Sequence, residues 1–320
     1  SLLKLIRDNI SLPKYRLHGR EMATMKKNIY TIIGTDTYFG AHMLKHLQAM
    51  KQIVIGCTQG EPFRYEAESI CVSDLGKYED MPAVDGEWIV ICLDPGMGFE
   101  AYAAKLKGIL DHLRAREFIG DICFFSSAAI CMPDVDQPIS ETSAIYPRNE
   151  HDLALVTGEN LLSVFGCSNK GYAVPHIMRI GVPYGNEADM KAVDGFVNKM
   201  ISEAENNVSL KIPMGGEAKR SLIHISDICR AVTQLMNSEN CPMLVNIPGE
   251  IKTISEVGHA ISRKYHVDFI ERGLNLYDEL DFFAGDQYLS DELFNESLKY
   301  ERQYLFDSWL SEKPMLYAAN

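Results

Sequence analysis

Short apolar runs alternate with longer amphipathic stretches from Asn28 onward, and this rhythm constrains the fold more than any other feature of the sequence. The runs are rich in Ile, Val and Phe, as expected for strands that are buried on both faces of a parallel sheet. Strands are predicted at residues 29–33, 53–57, 88–93 and 122–126. Because strands that alternate with helices favour βαβ units, the pattern predicts a doubly wound, Rossmann-type α/β fold.

Amphipathic helices are predicted between these runs, at residues 39–50, 100–116 and 151–165. After residue 175 the strand candidates become sparser and Gly/Pro breaks multiply. We therefore expect three parts. They are a basic N-terminal arm at residues 1–27, a Rossmann nucleotide-binding domain at 28–175, and mainly a smaller α/β substrate-binding lobe at 176–320.

Composition narrows the classes of function. The net charge of −13 opposes binding to nucleic acid or to an anionic membrane, and no apolar run approaches the length of about 20 residues that a membrane span needs. Eight cysteines without a CxxC motif are typical of reduced thiols in a cytoplasmic protein. Residues 1–27 carry seven Lys or Arg against two acidic residues and contain no uninterrupted apolar segment. We therefore expect no export, and an arm that packs on the acidic body or on a neighbouring subunit.

A glycine-containing turn follows the first predicted strand directly and opens the first predicted helix. In a dinucleotide-binding turn, the backbone N–H groups at the helix N-terminus face a pyrophosphate, and glycines allow close approach. By itself this signal is weak, because any strand-to-helix turn can contain two glycines. The candidate cofactor-binding residues of the turn are Gly34, Thr35, Asp36, Thr37, Tyr38, Phe39 and Gly40.

Further segments accompany this turn, and each is a weak signal alone. They are Ser-Asp-Leu at 73–75, Phe-Phe-Ser-Ser-Ala-Ala at 124–129, Pro-Ile-Ser-Glu at 138–141, Arg-Ile-Gly-Val-Pro-Tyr-Gly at 179–185, Arg-Ser-Leu-Ile-His-Ile-Ser-Asp at 220–227 and Val-Asn-Ile at 245–247. In their order and spacing they resemble the NAD-dependent epimerase/dehydratase family, the extended short-chain dehydrogenases that act mostly on nucleotide sugars. The resemblance covers residues 28 to about 310.

The resemblance implies roles for single residues. Asp74 and Leu75 stand where the family contacts adenine, and Leu93 stands beside the cofactor. Ser127 occupies the place of the catalytic Ser/Thr, and Arg220 matches the position that reaches the diphosphate of a nucleotide sugar. NAD or NADP is the implied cofactor, and the implied partner is a second subunit, of the same or another chain, that pairs through the helices flanking the active site.

The Tyr and Lys on which the family's redox chemistry depends are missing. The family pattern places the Tyr at His151 and the Lys, four residues later, at Leu155. None of the fifteen tyrosines in the chain is followed by a Lys at that spacing, so the absence does not depend on the alignment. Ser127 and His151 could act as an altered acid–base pair, or they could simply end a strand and begin a helix.

The predicted cofactor turn departs from the pattern too. Thr37 replaces a glycine, and we expect strain if this β-branched residue has to adopt a positive φ. Asp36 would bring a carboxylate near a bound pyrophosphate, and Asp94 stands where the family has small residues. Cys57, at the end of the second strand, is followed by Thr and Gln instead of an acid that would hold the ribose, and only Arg64 hints at a 2′-phosphate. Dinucleotide binding is therefore expected to be lost or remodelled.

Three functions remain open from the sequence. The preferred one is a nucleotide-sugar epimerase/dehydratase-like protein that has lost NAD-dependent catalysis and acts by binding. The alternatives are an active enzyme with an altered Ser127/His151 site, and a structural subunit that pairs with an active homologue. Arg220 could equally form an ion pair with Asp227 or Glu217, and no metal site is predicted, because the i, i+4 pair His42 and His46 lacks the Glu of an HExxH motif.

Overall fold

A computed structural model describes residues 28–57, 70–71, 88–132, 137–168, 173–186, 195–213, 216–272 and 285–313. The basic arm, Arg64, Asp74 and Leu75 lie outside the described residues, so the expectations for them stay predictions. In the part of the chain that is described, no helix has the length and apolar character to cross a membrane. The same residues contain no group of three or more His, Cys, Asp or Glu side chains that could hold a metal ion.

The described chain forms alternating strands and helices. The strands are β1 (Ile29–Ile33), β2 (Ile53–Cys57), β3 (Ile70–Cys71), β4 (Trp88–Ile91), β5 (Gly120–Ser127), β6 (Ala173–Ile180), β7 (Val182–Tyr184), β8 (Leu210–Pro213), β9 (Lys219–His224), β10 (Leu244–Ile247), β11 (Glu250–Thr253) and β12 (Phe269–Arg272). The helices are α1 (Tyr38–Ala49), α2 (Phe99–Ala115), α3 (Glu150–Ser168), α4 (Phe196–Glu205), α5 (Ile225–Met236), α6 (Ile254–Tyr265), α7 (Glu292–Ser297) and α8 (Phe306–Glu312).

Seven strands form one parallel sheet in the order β10-β6-β5-β4-β1-β2-β3. The order reverses between β1 and β4, which is the type of position where open α/β sheets bind ligands beyond the carboxyl ends of the strands. The predicted Rossmann-type fold class is confirmed. All four predicted strands and all three predicted helices are present, with ends that coincide or shift by up to three residues.

Successive residues of the central strands are buried on opposite faces of the sheet. Ile33 packs in a core cluster with the apolar sides of α2 and α3, whereas Ile32 packs in a second cluster with those of α1 and α5. Since both faces are covered by helices, the strands are apolar along their whole length, which explains the continuous runs in the sequence.

Residues beyond the first six strands build a smaller lobe and also return to the sheet. The boundary expected at residue 175 falls within β6, and α5 and β10 join the Rossmann part after the chain has already left it. The smaller lobe contains the three-stranded sheet β11-β9-β7 and the pair β12-β8, with α4, α6 and α8 packed in a third core cluster. β7 and β9 place this lobe over the carboxyl end of the parallel sheet.

Candidate active site

A cleft of about 710 Å³ opens at the carboxyl end of the parallel sheet, where the strand order reverses. Its walls come from the turn after β1, the segments after β4 and β5, the start of α3, and the chain around β6, β7 and β9. This volume is in the range of sites that hold a drug-sized ligand. The cleft is therefore the candidate site, and most of the residues singled out in the sequence line it.

Two glycines shape the turn after β1 because the fold leaves no room for a side chain. Gly34 has φ of +91°, and a Cβ there would lie 2.3 Å from the carbonyl oxygen of Cys92. A Cβ on Gly40 would lie 1.9 Å from the carbonyl oxygen of Gly34. These glycines allow the turn and the close contact between α1 and the strands. The fold therefore requires them whether or not a ligand binds.

Thr37 is the N-cap of α1, and it is not strained. Its φ is −90° and its ψ is 165°, which is extended backbone open to a β-branched residue, so the expected strain at this position is wrong. The Thr37 Oγ1 accepts a hydrogen bond from the Gly40 N–H at 3.1 Å. It also lies 2.8 Å from each of the carbonyl oxygens of Gly34 and Cys92, and its hydroxyl can donate to either. The side chain thus bridges the carboxyl ends of β1 and β4.

Two carboxylates stand on the same side of the cleft as Thr37. Asp36 is half-buried and Asp94 is exposed, and both line the cleft. The Asp94 Oδ1 accepts a hydrogen bond of 2.8 Å from the Gly96 N–H and so caps a short 3-10 helix. Leu93, which is buried, also lines the cleft.

The remaining residues predicted in the turn divide into two groups. Phe39 and Tyr38 line the cleft, with Phe39 packed on Phe125 at a ring-centroid distance of 5.2 Å and the Tyr38 hydroxyl donating to the Gly185 carbonyl at 2.6 Å. Thr35 is buried, and its hydroxyl donates to the carbonyl of Cys57 at 3.4 Å. Thr35 is not among the residues that line the cleft, so the structure assigns it to the scaffold.

Ser127, His151 and Leu155 line one cleft together, although they belong to two elements. The Ser127 Oγ accepts a hydrogen bond of 3.1 Å from the Ala129 N–H, which leaves its own proton available to donate. Leu155 is only 4% exposed and presents an apolar wall where the family pattern would place an ammonium group. The three positions that the family pattern singles out therefore lie in one cleft, but the side chain of Leu155 has no polar atom.

Asp152 is a site residue that sequence reasoning missed. Its carboxylate Oδ1 lies 3.8 Å from the His151 Nδ1, and its Oδ2 accepts from the backbone N–H and the Nε of Arg148 at 3.2 and 3.3 Å. Burial by itself would raise the pKa of Asp152, but the contacts with His151 and Arg148 outweigh burial and hold the pKa below its usual range. The Arg-x-x-x-Asp spacing at the predicted start of α3 is the signal that could have found this pair.

Arg220 forms the cationic part of the cleft lining, and it is 1% exposed. Its Nη1 donates to the carbonyl oxygens of Lys219 and Gly285 at 2.7 and 2.9 Å. Burial, with a smaller contribution from the nearby charge of Arg148, lowers the pKa of Arg220 to about 10. Asp227, one of the two alternative partners, accepts hydrogen bonds from Arg230 and the Tyr300 hydroxyl.

A buried polar network lies beside the cleft and connects three of the family-like segments. Arg179 donates from Nε and Nη2 to the two carboxylate oxygens of Glu159 at 2.9 and 2.7 Å, and Ser126 donates to the same carboxylate at 2.7 Å. The Arg179 Nη1 also donates to the Glu141 carbonyl, while the Glu141 side chain accepts from the Asn246 N–H at 2.8 Å. These hydrogen bonds hold β5, β6, β10 and α3 together.

The residues of the cleft do not fit a dinucleotide cofactor. A nicotinamide dinucleotide requires a glycine backbone open to its pyrophosphate and no competing negative charge. Thr37 places a hydrogen-bonded side chain at that turn, and Asp36 and Asp94 add two carboxylates. Leu155 offers no cation for the ribose of the nicotinamide.

Known proteins resemble this chain both in sequence and in fold. Residues 99–247 match the family described as NAD dependent epimerase/dehydratase family. A candidate UDP-glucose 4-epimerase of Methanocaldococcus jannaschii is 26% identical over 174 residues, which are 53% of this chain and 54% of that protein. The chain thus spans about half the length of the curated relative it matches.

The solved structures that resemble this chain share its fold at low sequence identity. The X-ray structure of Pal from Bacillus thuringiensis has a TM-score of 0.73 at 16% identity, over 88% of this chain and 96% of that one. The UDP-glucose 4-epimerase of Thermotoga maritima, solved with UDP-glucose, has a TM-score of 0.71 at 16% identity and the same coverage. The UDP-glucose 4-epimerase of Thermus thermophilus, solved with NAD, has a TM-score of 0.71 at 17% identity, also over 88% of this chain and 96% of that one. Residues 99–247 thus resemble the NAD dependent epimerase/dehydratase family, and the chain shares the fold of the solved epimerase structures.

Proposed function

We propose that this protein binds a nucleotide sugar, or a related small molecule, in its cleft and has lost the NAD-dependent redox catalysis of the family it resembles. The observation that carries the proposal is the pair His151 and Leu155 in the wall of the cleft. Hydride chemistry on a sugar hydroxyl needs a phenol whose pKa is lowered by a neighbouring ammonium. The buried Leu155 supplies neither a charge nor a proton, so the proton transfer that accompanies hydride transfer in the family has no such pair of groups here.

A nucleotide sugar is supported by the part of the cleft at β9. Arg220 lines it as a buried guanidinium, a geometry suited to the oxygens of a diphosphate. The charge of Arg148 lies close enough to lower the pKa of Arg220, so this part is positively polarised. An anion bound there would restore the pKa of Arg220 toward its usual range. The related Thermotoga maritima structure was solved with UDP-glucose.

Calorimetric titration with NAD, NADP and a panel of UDP-, GDP- and dTDP-sugars tests the proposal. We expect one of the sugar nucleotides to bind and no reduction of NAD or NADP in its presence. Arg220→Lys should weaken that binding by about tenfold, because Lys keeps the charge without the bidentate geometry. An unchanged thermal midpoint controls for folding, and measurable hydride transfer would overturn the proposal.

A second candidate is an active enzyme with an altered acid–base site, and the position of Asp152 favours it. His151 is half-exposed to the cleft and has a buried carboxylate 3.8 Å behind its Nδ1, while Ser127 lines the same cavity. An imidazole in such a position can act as a general acid or base. Turnover of a sugar nucleotide that disappears in His151→Ala and persists in His112→Ala would support this candidate.

Pairing with a second subunit, of the same chain or of an active homologue, is proposed through α2 and α3. These helices lie side by side on one face of the sheet, and Leu153 and Val164 of α3 are 38% and 62% exposed. Exposed apolar side chains on one helix are typical of an interface. Light scattering should give a dimer for the natural chain and a monomer for Val164→Asp. Cysteine usage supports a cytoplasmic location.

A further inference from the structure

The turn after β1 separates what the fold requires from what a dinucleotide requires. In a dinucleotide-binding turn the first glycine permits the turn, the second lets the backbone approach the pyrophosphate, and the third permits close helix packing. Gly34 and Gly40 occupy the first and third positions, and each is enforced by a carbonyl oxygen within 2.3 Å of its would-be Cβ. Only the position that serves the pyrophosphate has changed, to Thr37.

The Thr37 side chain fills space at the N-terminus of α1 and accepts a hydrogen bond from a backbone N–H that an anion would otherwise use. Its hydroxyl oxygen takes the Gly40 N–H, one of the backbone donors at the start of α1. The same atom lies 2.8 Å from the Cys92 carbonyl oxygen, so the side chain crosses from the end of β1 to the end of β4. An anion at this helix N-terminus would have to displace a side chain whose hydroxyl accepts one hydrogen bond and donates another to one of two carbonyl oxygens.

The charge of the cleft changes sign between its two ends. Asp36 and Asp94 line it near the N-terminus of α1, and in the described residues neither carboxylate forms an ion pair. Arg220 lines it at β9. A diphosphate is attracted at the second end and repelled at the first, since like charges a few ångströms apart in a partly enclosed cleft interact strongly.

We propose that Asp36, Thr37 and Asp94 exclude a dinucleotide pyrophosphate from the cleft, so that this protein discriminates against NAD and NADP. If the proposed function also holds, the cleft binds one anionic ligand at Arg220 and no second ligand at the turn. Only this consequence rests on the proposed function. The scaffold of the turn is intact, because Gly34 and Gly40 are both present. Replacing three side chains should therefore restore dinucleotide binding.

The test compares two variants with the natural chain. Asp36→Asn combined with Asp94→Asn removes the charge and keeps the side-chain oxygen that caps the 3-10 helix. Adding Thr37→Gly opens the turn. Calorimetry with NAD and with NADP should show an affinity gain of about 30-fold in the triple variant, of which about threefold comes from each carboxylate removed and about threefold from the opened turn. The double variant should show the charge-dependent part alone, and this gain should shrink as salt is added.

Asp291→Asn combined with Glu292→Gln is the matched control, because it removes the same charge from exposed positions outside the cleft. The inference is overturned if the control gains as much as the double variant, if neither cleft variant gains affinity, or if the natural chain already binds NAD as tightly. If the triple variant gains NAD binding but no sugar nucleotide binds any of the proteins, the inference stands and the proposed function fails. If Thr37→Gly prevents folding, the double variant alone tests the inference. Its circular dichroism spectrum shows whether that variant is folded.

Discussion

The buried network of Glu159 and Arg179 and the wall of the cleft lie side by side, and they relate to the family pattern in opposite ways. Glu141, Arg179 and Asn246 match the pattern, and together with Glu159 they form a hydrogen-bonded network. The cleft wall has a hydrogen-bonded Thr, two carboxylates, a His and a Leu where the pattern has groups that serve a cofactor. The groups that fix strands and helices to each other are present, whereas the described cleft wall lacks the Tyr, the Lys and the middle glycine of the pattern.

The difference teaches that a family resemblance can come from the scaffold alone. The ion pair of Glu159 and Arg179 is required wherever α3 packs on β5 and β6, because either charge left alone in this buried place would be costly. His151 is half-exposed and can change without disturbing the packing. Resemblance in the network therefore predicts the fold, whereas function has to be argued from the cleft.

The largest expected effect is on the network. Glu159→Gln should lower the free energy of unfolding by about 3 to 5 kcal/mol, because it leaves the guanidinium of Arg179 buried without its counter-charge. Urea denaturation measures the loss. The double variant Glu159→Leu with Arg179→Met should lose less than the single variant, since no charge remains buried. If the free energy of unfolding falls by less than about 1 kcal/mol in Glu159→Gln, the pair contributes no more than an exposed ion pair does.

Within the turn after β1, we expect smaller losses of stability, and they should differ between a scaffold glycine and Thr37. Gly40→Ala should cost about 2 to 3 kcal/mol, because its Cβ would overlap the Gly34 carbonyl oxygen 1.9 Å away. Thr37→Ala should cost about 1 kcal/mol, the usual loss for removal of an N-cap. Thermal unfolding of the two variants in parallel gives the comparison. Equal losses would contradict the division between scaffold glycines and a ligand-excluding Thr37.

The smallest effect concerns pH and a contact of His176 on β6, outside the cleft lining. Burial by itself would lower the pKa of His176, but contacts with Asp121 and Cys241 raise it to about 10, and its Nδ1 donates to the Pro242 carbonyl at 2.9 Å. Because the folded-state pKa lies above the ordinary value of about 6.5, this stabilisation is complete below pH 6.5 and is lost as the pH rises through about 10.

The difference in unfolding free energy between the natural chain and His176→Gln should therefore shrink from pH 6.5 toward pH 10. Urea denaturation across this range measures it. Ligand binding in the cleft should be the same in both proteins, because His176 is outside the cleft lining. A difference in stability that is independent of pH would show that His176 is neutral in the folded protein.

Strand and helix positions could be predicted to within three residues, because a sheet covered on both faces leaves a plain apolar rhythm in the chain. The wrong expectation of strain at Thr37 came from transferring a glycine conformation to a residue that acts as an N-cap with φ of −90°. The contact of Asp152 with His151 was missed because it depends on side-chain direction at the start of a helix.

By itself the sequence determined the α/β architecture and the absence of a Tyr followed by a Lys four residues later, since both can be stated from the order of residues along the chain. Only the tertiary structure decided which polar residues are scaffold and which face the cleft. Arg179 and Glu159 are 20 positions apart, and Asn246 and Glu141 are 105 apart, so their pairing depends on which strands become neighbours in the sheet. The physical reason is that burial and hydrogen bonding are set by distance in space, which the chain acquires only when the sheet has formed.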